Sequence, residues 1–148
     1  MAQRGFTMVE LIVTMIIIGI MAVVVLPRMD LLRGFDEIGF RDQVRATLEY
    51  ARKSAVAQRR NVRVAIAGGT VTVTIDNDIP EGAGAGSYGR ALTLPGANGN
   101  QITAPSGVTL TPDTTLTFGP LGVPSAAATL TVSGAGNIVV EAETGYVH

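Results

Sequence analysis

The 148-residue chain contains no cysteine and no tryptophan, one histidine, three tyrosines and four phenylalanines. Without cysteine, disulfides and thiolate metal sites are excluded, so an exported domain of this size must hold together by core packing alone. The single histidine, His148, is the terminal residue and a poor candidate for a general base or a metal ligand. Positive charge is nearly missing from the back of the chain: residues 64–148 carry Arg90 against six acids, a net of −5. Residues 1–63 carry ten of the eleven basic residues and six acids, a net of +4. Glycine and proline are scarce in front, with fourteen of eighteen Gly and six of seven Pro past residue 66. The chain thus divides into a basic, helix-biased front and an acidic, turn-rich, strand-biased back. The overall net charge of −1 implies neither nucleic acid nor an acidic partner. No internal repeat and no catalytic constellation stands out, and the chain does not read as an enzyme.

What the front does contain is a long hydrophobic run. From Phe6 to Leu26 the only polar residues are Thr7, Glu10 and Thr14. As a helix this run is about 31 Å long, the thickness of the bilayer's hydrocarbon core. A buried core helix is disfavoured because the run is apolar on every face and comes too early to be wrapped. A removable secretory signal is disfavoured because the run ends in "VVVLPRMD", without a small-residue cleavage site.

Pro27 closes the apolar run but not necessarily the helix, and Pro27 and Gly34 are expected kinks. Beyond them Phe40, Val44, Leu48, Ala51 and Ala55 recur at helical spacing on one face. Arg41, Asp42, Arg45, Glu49, Arg52 and Lys53 fill other positions, and Arg45 and Glu49 are spaced for an i,i+4 pair. Such a half-apolar helix has to pack on something.

After residue 61 the period changes to two. Val62, Val64 and Ile66, then Val71, Val73 and Ile75, alternate around Gly68-Gly69, which predicts a β-hairpin. "NDIPEGAGAGSYGR" reads as a Gly-rich exposed loop; no Lys-Ser/Thr follows, so it is not a phosphate loop. Further strands are expected at Val108–Thr111, Leu116–Phe118, Ala128–Val132 and Ile138–Glu141, with "SGAGN" turning between the last two. A one-faced antiparallel sheet covered by the amphipathic half-helix is the expected α+β architecture.

The stretch Gly5-Phe6-Thr7-Met8-Val9-Glu10-Leu11, followed by the apolar run and Pro27, resembles the class III signal of type IV prepilins and type II secretion pseudopilins. The resemblance implies a pilin-like fold, cleavage between Gly5 and Phe6 by a prepilin peptidase, and N-methylation of Phe6 by the same machinery. It also implies retention of the helix, first as an inner-membrane anchor and then as a filament-core element among other pilin or pseudopilin subunits. The expected organisation is a leader at 1–5, a transmembrane and filament-core helix at 6–26, an amphipathic continuation at 27–60, and a periplasmic β domain at 61–148. Arg4 favours a cytoplasmic leader, partly opposed by Arg28 and Arg33 on the far side.

Glu10 supports this reading on physical grounds. A carboxylate in an apolar spanning helix costs about 2.5–3.5 kcal/mol on insertion scales, so it calls for a partner. Cleavage after Gly5 creates one, the α-amine of Phe6, either in the same chain or on a neighbouring subunit where the pair would set axial register. A carboxylate that snorkels or protonates, with no assembly role, is the plainer alternative.

The long helix and cysteine-free β domain resemble the GspH/FimT group. "FRDQVRATLEYARKSAVAQRRNVRVAI" and "VEAETGYVH" look most like minor pilins of the mannose-sensitive haemagglutinin pilus, the MshC-like proteins. Some members of the group bind DNA during natural transformation, and Arg59, Arg60 and Arg63, with Arg52 and Lys53 before them, are the candidate residues. Yet no aromatic accompanies them in sequence beyond Tyr50, and the back half is acidic. The Gly-Arg-x-Arg element of the DNA-binding members is also missing: Gly89-Arg90 runs into Ala91-Leu92, and the tail is acidic. A solvated helix face is the favoured meaning. Asp76, Asp78 and Glu81 have the oxygen chemistry of a calcium loop but read better as an acidic turn. No metal or cofactor is expected.

Overall fold

The computed structural model describes residues 6–78 and 86–148, and for residues 23–33 the backbone alone. One helix, α1 (Met8–Gln58), is followed by eight strands. These are β1 (Val62–Ala67), β2 (Thr70–Ile75), β3 (Arg90–Ala91), β4 (Gln101–Thr103), β5 (Leu110–Thr111), β6 (Thr114–Phe118), β7 (Ala128–Val132) and β8 (Gly136–Val140). The chain divides into two compact units, Met1–Phe35 and Asp36–His148. Positions 27 and 34 both lie inside α1, so neither ends the helix. The kink expected at Pro27 falls where side chains lie outside the described residues.

In the first unit the apolar side chains from Phe6 to Met21 are all solvent-facing, from Val13 at 47% to Met8 at 81%. Among the described residues no helix is long and apolar enough to cross a membrane. The span expected over Phe6–Leu26 continues past residue 22, beyond the described side chains.

The second unit has its own core. Phe40, Val44, Leu48, Ala51 and Ala55, the five positions picked out by helical spacing, are all buried. They form one cluster with Val62, Val64 and Ile66 of β1, Val71, Val73 and Ile75 of β2, and the inward residues of β6, β7 and β8. Each fully buried Leu, Val or Phe contributes about 1.5–3 kcal/mol from removal of its surface from water. Ala51 and Ala55 are fully buried though each carries only a methyl, which brings that turn of the helix backbone close against the core. The opposite helix face carries Arg45 and Lys53, which pair with Glu49 at 3.5 and 3.6 Å.

The strands form two antiparallel sheets rather than the single sheet expected. The larger has the order β3-β2-β1-β6, with β4 also pairing with β2; the smaller has the order β5-β7-β8. Alternation in each strand satisfied a one-sheet reading equally well, because a period of two states which face is buried and not which strands are neighbours. The β1–β2 hairpin forms as expected, in register Val62↔Ile75, Val64↔Val73 and Ile66↔Val71. Its two-residue loop is built from Gly68 (φ 54°) and Gly69 (φ 75°), the pair of positive φ values that a type I′ turn requires.

Ala128–Val132 matches the expected strand, and the other three shift by a residue or two at their ends. β3 and β4 are too short to show alternation: β3 begins at the end of the stretch read as loop, and no strand is expected from the sequence at Gln101–Thr103. The tail adds an edge to β8: Val139 and His148 exchange backbone hydrogen bonds at 2.8 and 3.0 Å, and Val147 is buried.

Candidate functional site

Thr7, Glu10 and Thr14 are spaced to share one face of the first turns of α1. Thr7 is the N-cap: its Oγ1 accepts the Glu10 N–H at 3.3 Å, and its carbonyl accepts the Leu11 N–H at 3.2 Å. The pattern Thr-x-x-Glu is the sequence signature of a capping box, a purely local signal. Thr14 donates its hydroxyl to the Leu11 carbonyl at 2.9 Å, so its polarity is satisfied within the helix. With both threonines occupied, the Glu10 carboxylate is the one ionisable group of this apolar stretch. It sits in the first turn, where the helix dipole favours negative charge. Phe6 directly precedes the cap and is 80% exposed, while Gly5 and the rest of 1–5 lie outside the described residues.

The three candidate nucleic-acid arginines each have contacts of their own. Arg59 adopts φ 50° and closes α1: its N–H bonds the Val56 carbonyl, and the Arg60 N–H bonds the Ala55 carbonyl. These are the two bonds of a Schellman cap, with arginine where glycine is usual. Arg60 donates from Nη1 to the Asp76 carbonyl at 2.9 Å, tying the helix exit to the end of β2. Arg63 stands on β1 with its Cζ 4.6 Å from the centroid of the Tyr88 ring. An aromatic does accompany the cluster after all, supplied by a residue 25 positions away that only tertiary folding brings near. Arg52 donates from Nε to the Gly122 carbonyl at 3.3 Å, bracing the β6–β7 loop against the helix.

Asp76 and Asp78 act as turn residues. Asp76 is buried and its Oδ1 accepts the Asp78 N–H at 3.0 Å; Asp78 Oδ2 accepts the Ser87 N–H at 3.0 Å. Glu81, the third carboxylate of the calcium alternative, lies outside the described residues. Gly86 packs so close to the Asp76 carboxylate that a Cβ there would overlap it. Among the described residues no group of three potential metal ligands is present.

Residues 41–145 match the family model described as type II transport protein GspH, and residues 1–26 match the prokaryotic N-terminal methylation motif. The chain belongs to the GspH family. With the methylation motif at its N-terminus it is a minor pilin or pseudopilin, a member of a structural family. Its fold is similar to that of the type IV minor pilin FimU of Pseudomonas aeruginosa (strain PAO1), seen in two crystal forms at TM-scores of 0.51 and 0.50. Identity to both is 17%, over 74% of this GspH-family chain and 84% and 89% of the FimU chains. No curated protein sequence matches this chain.

Proposed function

We propose that this GspH-family chain is cleaved between Gly5 and Phe6 by a prepilin peptidase, N-methylated on Phe6, and assembled through residues 6–26 into a filament of pilin-like subunits. The filament of this reading is a type IV pilus of the mannose-sensitive haemagglutinin type or a type II secretion pseudopilus. Before assembly the helix anchors the chain in the inner membrane, leader inside and β domain in the periplasm. The observation that carries this reading is the uncovered apolar surface from Phe6 to Met21 with one carboxylate in its first turn. An all-round apolar helix has no stable place in water and needs lipid or neighbouring helices.

Glu10 has a specific part in it. Cutting after Gly5 leaves an α-ammonium on the residue preceding the Thr7 cap, at the positive end of the helix dipole. A carboxylate in the first turn offsets that charge, in its own chain or on the next subunit, and methylation leaves the charge in place. In a medium of low dielectric the pair holds together far more tightly than in water.

Two measurements test the reading. Mass spectrometry of the mature chain should find N-methylated Phe6 as the first residue; an intact Met1 or Ala2 terminus would end the proposal. Glu10→Val should leave the chain in the membrane and abolish its incorporation into filaments, and normal incorporation would remove the register role of Glu10.

A further inference from the structure

Arg63 is the structural oddity of the β domain. Its Nε is buried and has no hydrogen-bond partner. Among the described residues no carboxylate lies within ion-pair distance of its guanidinium, although residues 64–148 carry six acids. Its neighbours on the same face of the larger sheet are fixed by register: Thr74 on β2 and Thr117 on β6 stand directly across from it. Val62 and Val64, on either side of it in β1, point into the core, so Arg63 points out of the sheet, away from that core. Tyr88 holds the guanidinium plane from one side. The result is a cation whose orientation is set by an aromatic ring, whose stem edge is closed off, and which is flanked by two hydroxyl residues.

We propose that the Arg63–Tyr88 platform is a docking site for a single carboxylate presented by a neighbouring subunit, a proposal that rests on the filament reading above. A guanidinium fixed in plane loses little freedom on binding, and its two Nη groups match the two oxygens of a carboxylate. A single carboxylate is favoured over a phosphate backbone. The Arg60 guanidinium is engaged at the Asp76 carbonyl, Arg59 sits apart at the helix exit, and the acidic domain repels a polyanion. A neighbour with an acidic β domain like this one carries the required group.

The test is an NMR titration of the full chain in detergent micelles with a short capped peptide carrying a single glutamate, following the Tyr88 ring protons and the Thr74 and Thr117 amides. The parent should show saturable shifts at all three. Arg63→Gln should raise the half-saturation concentration about tenfold, and Arg63→Lys, which keeps charge but not the planar fork, should fall between. Thr74→Glu, which places a carboxylate across the strand pair from Arg63, should occupy the site from within and abolish the peptide-induced shifts even where Arg63→Gln fails to fold. Unchanged titration in Arg63→Gln or in Thr74→Glu overturns the proposal. So does a thymidine dinucleotide, with its single phosphodiester charge, that moves the same signals at lower concentration, which makes the site one for nucleic acid. Because the titration uses unassembled chain, its failure leaves the filament reading standing, whereas an intact Met1 or Ala2 terminus ends the filament reading and leaves the titration result unchanged.

Discussion

One helix, α1, holds two stretches rich in apolar residues in different arrangements, and their fates are opposite. Between Phe6 and Met21 the chain itself covers none of the large apolar side chains, while between Phe40 and Ala55 one face is sealed in the core of the second unit. The difference lies in arrangement. The first stretch is apolar on all sides, so no single packing face can satisfy it; the second confines its apolar residues to a stripe that one sheet domain can cover. Hydrophobicity in the second stretch folds the domain, and in the first it specifies the surroundings the helix must enter.

Truncation should separate the two stretches most sharply. Leu48→Ala, at a fully buried position, should destabilise the second unit by about 2–5 kcal/mol in thermal or urea unfolding. The matching Ile18→Ala, at a position 66% exposed, should leave that unfolding unchanged. A large loss for Ile18→Ala would mean that the first stretch is part of the folded core after all.

A smaller effect is expected where the second unit is braced against its helix. Gly145 has φ 64° and lies where a Cβ would overlap the Gly122 carbonyl, beside Arg52. Gly145→Ala should cost about 2 kcal/mol, from left-handed strain and displacement of backbone that cannot rotate aside. Circular dichroism melts of the two proteins check it.

Arg59 closes α1 in the left-handed region, so Arg59→Gly should stabilise the chain by about 1 kcal/mol. That change also removes an exposed cation from the candidate nucleic-acid cluster without touching the cap bonds. The smallest effect is on the solvated face: Glu49→Gln should cost about 0.5 kcal/mol through loss of its pairs with Arg45 and Lys53, and the difference should shrink in high salt.

The N-terminal processing motif, the buried helix stripe and the Gly68-Gly69 hairpin were legible from the residues because each depends on neighbours within a few positions. Helical spacing selected Phe40, Val44, Leu48, Ala51 and Ala55 because a period of 3.6 defines a face without reference to anything else. The Thr7–Glu10 cap was equally local and could have been found by the same means. The division into two sheets, the short strands β3 and β4, and the seating of Tyr88 on Arg63 were decided by the tertiary structure alone. Each depends on which distant backbone comes alongside, and alternation along a strand is the same whichever partner it pairs with. The arginine cluster shows the consequence: Arg60 and Arg63, close together in sequence, were given a carbonyl staple and an aromatic platform by contacts that no local pattern encodes.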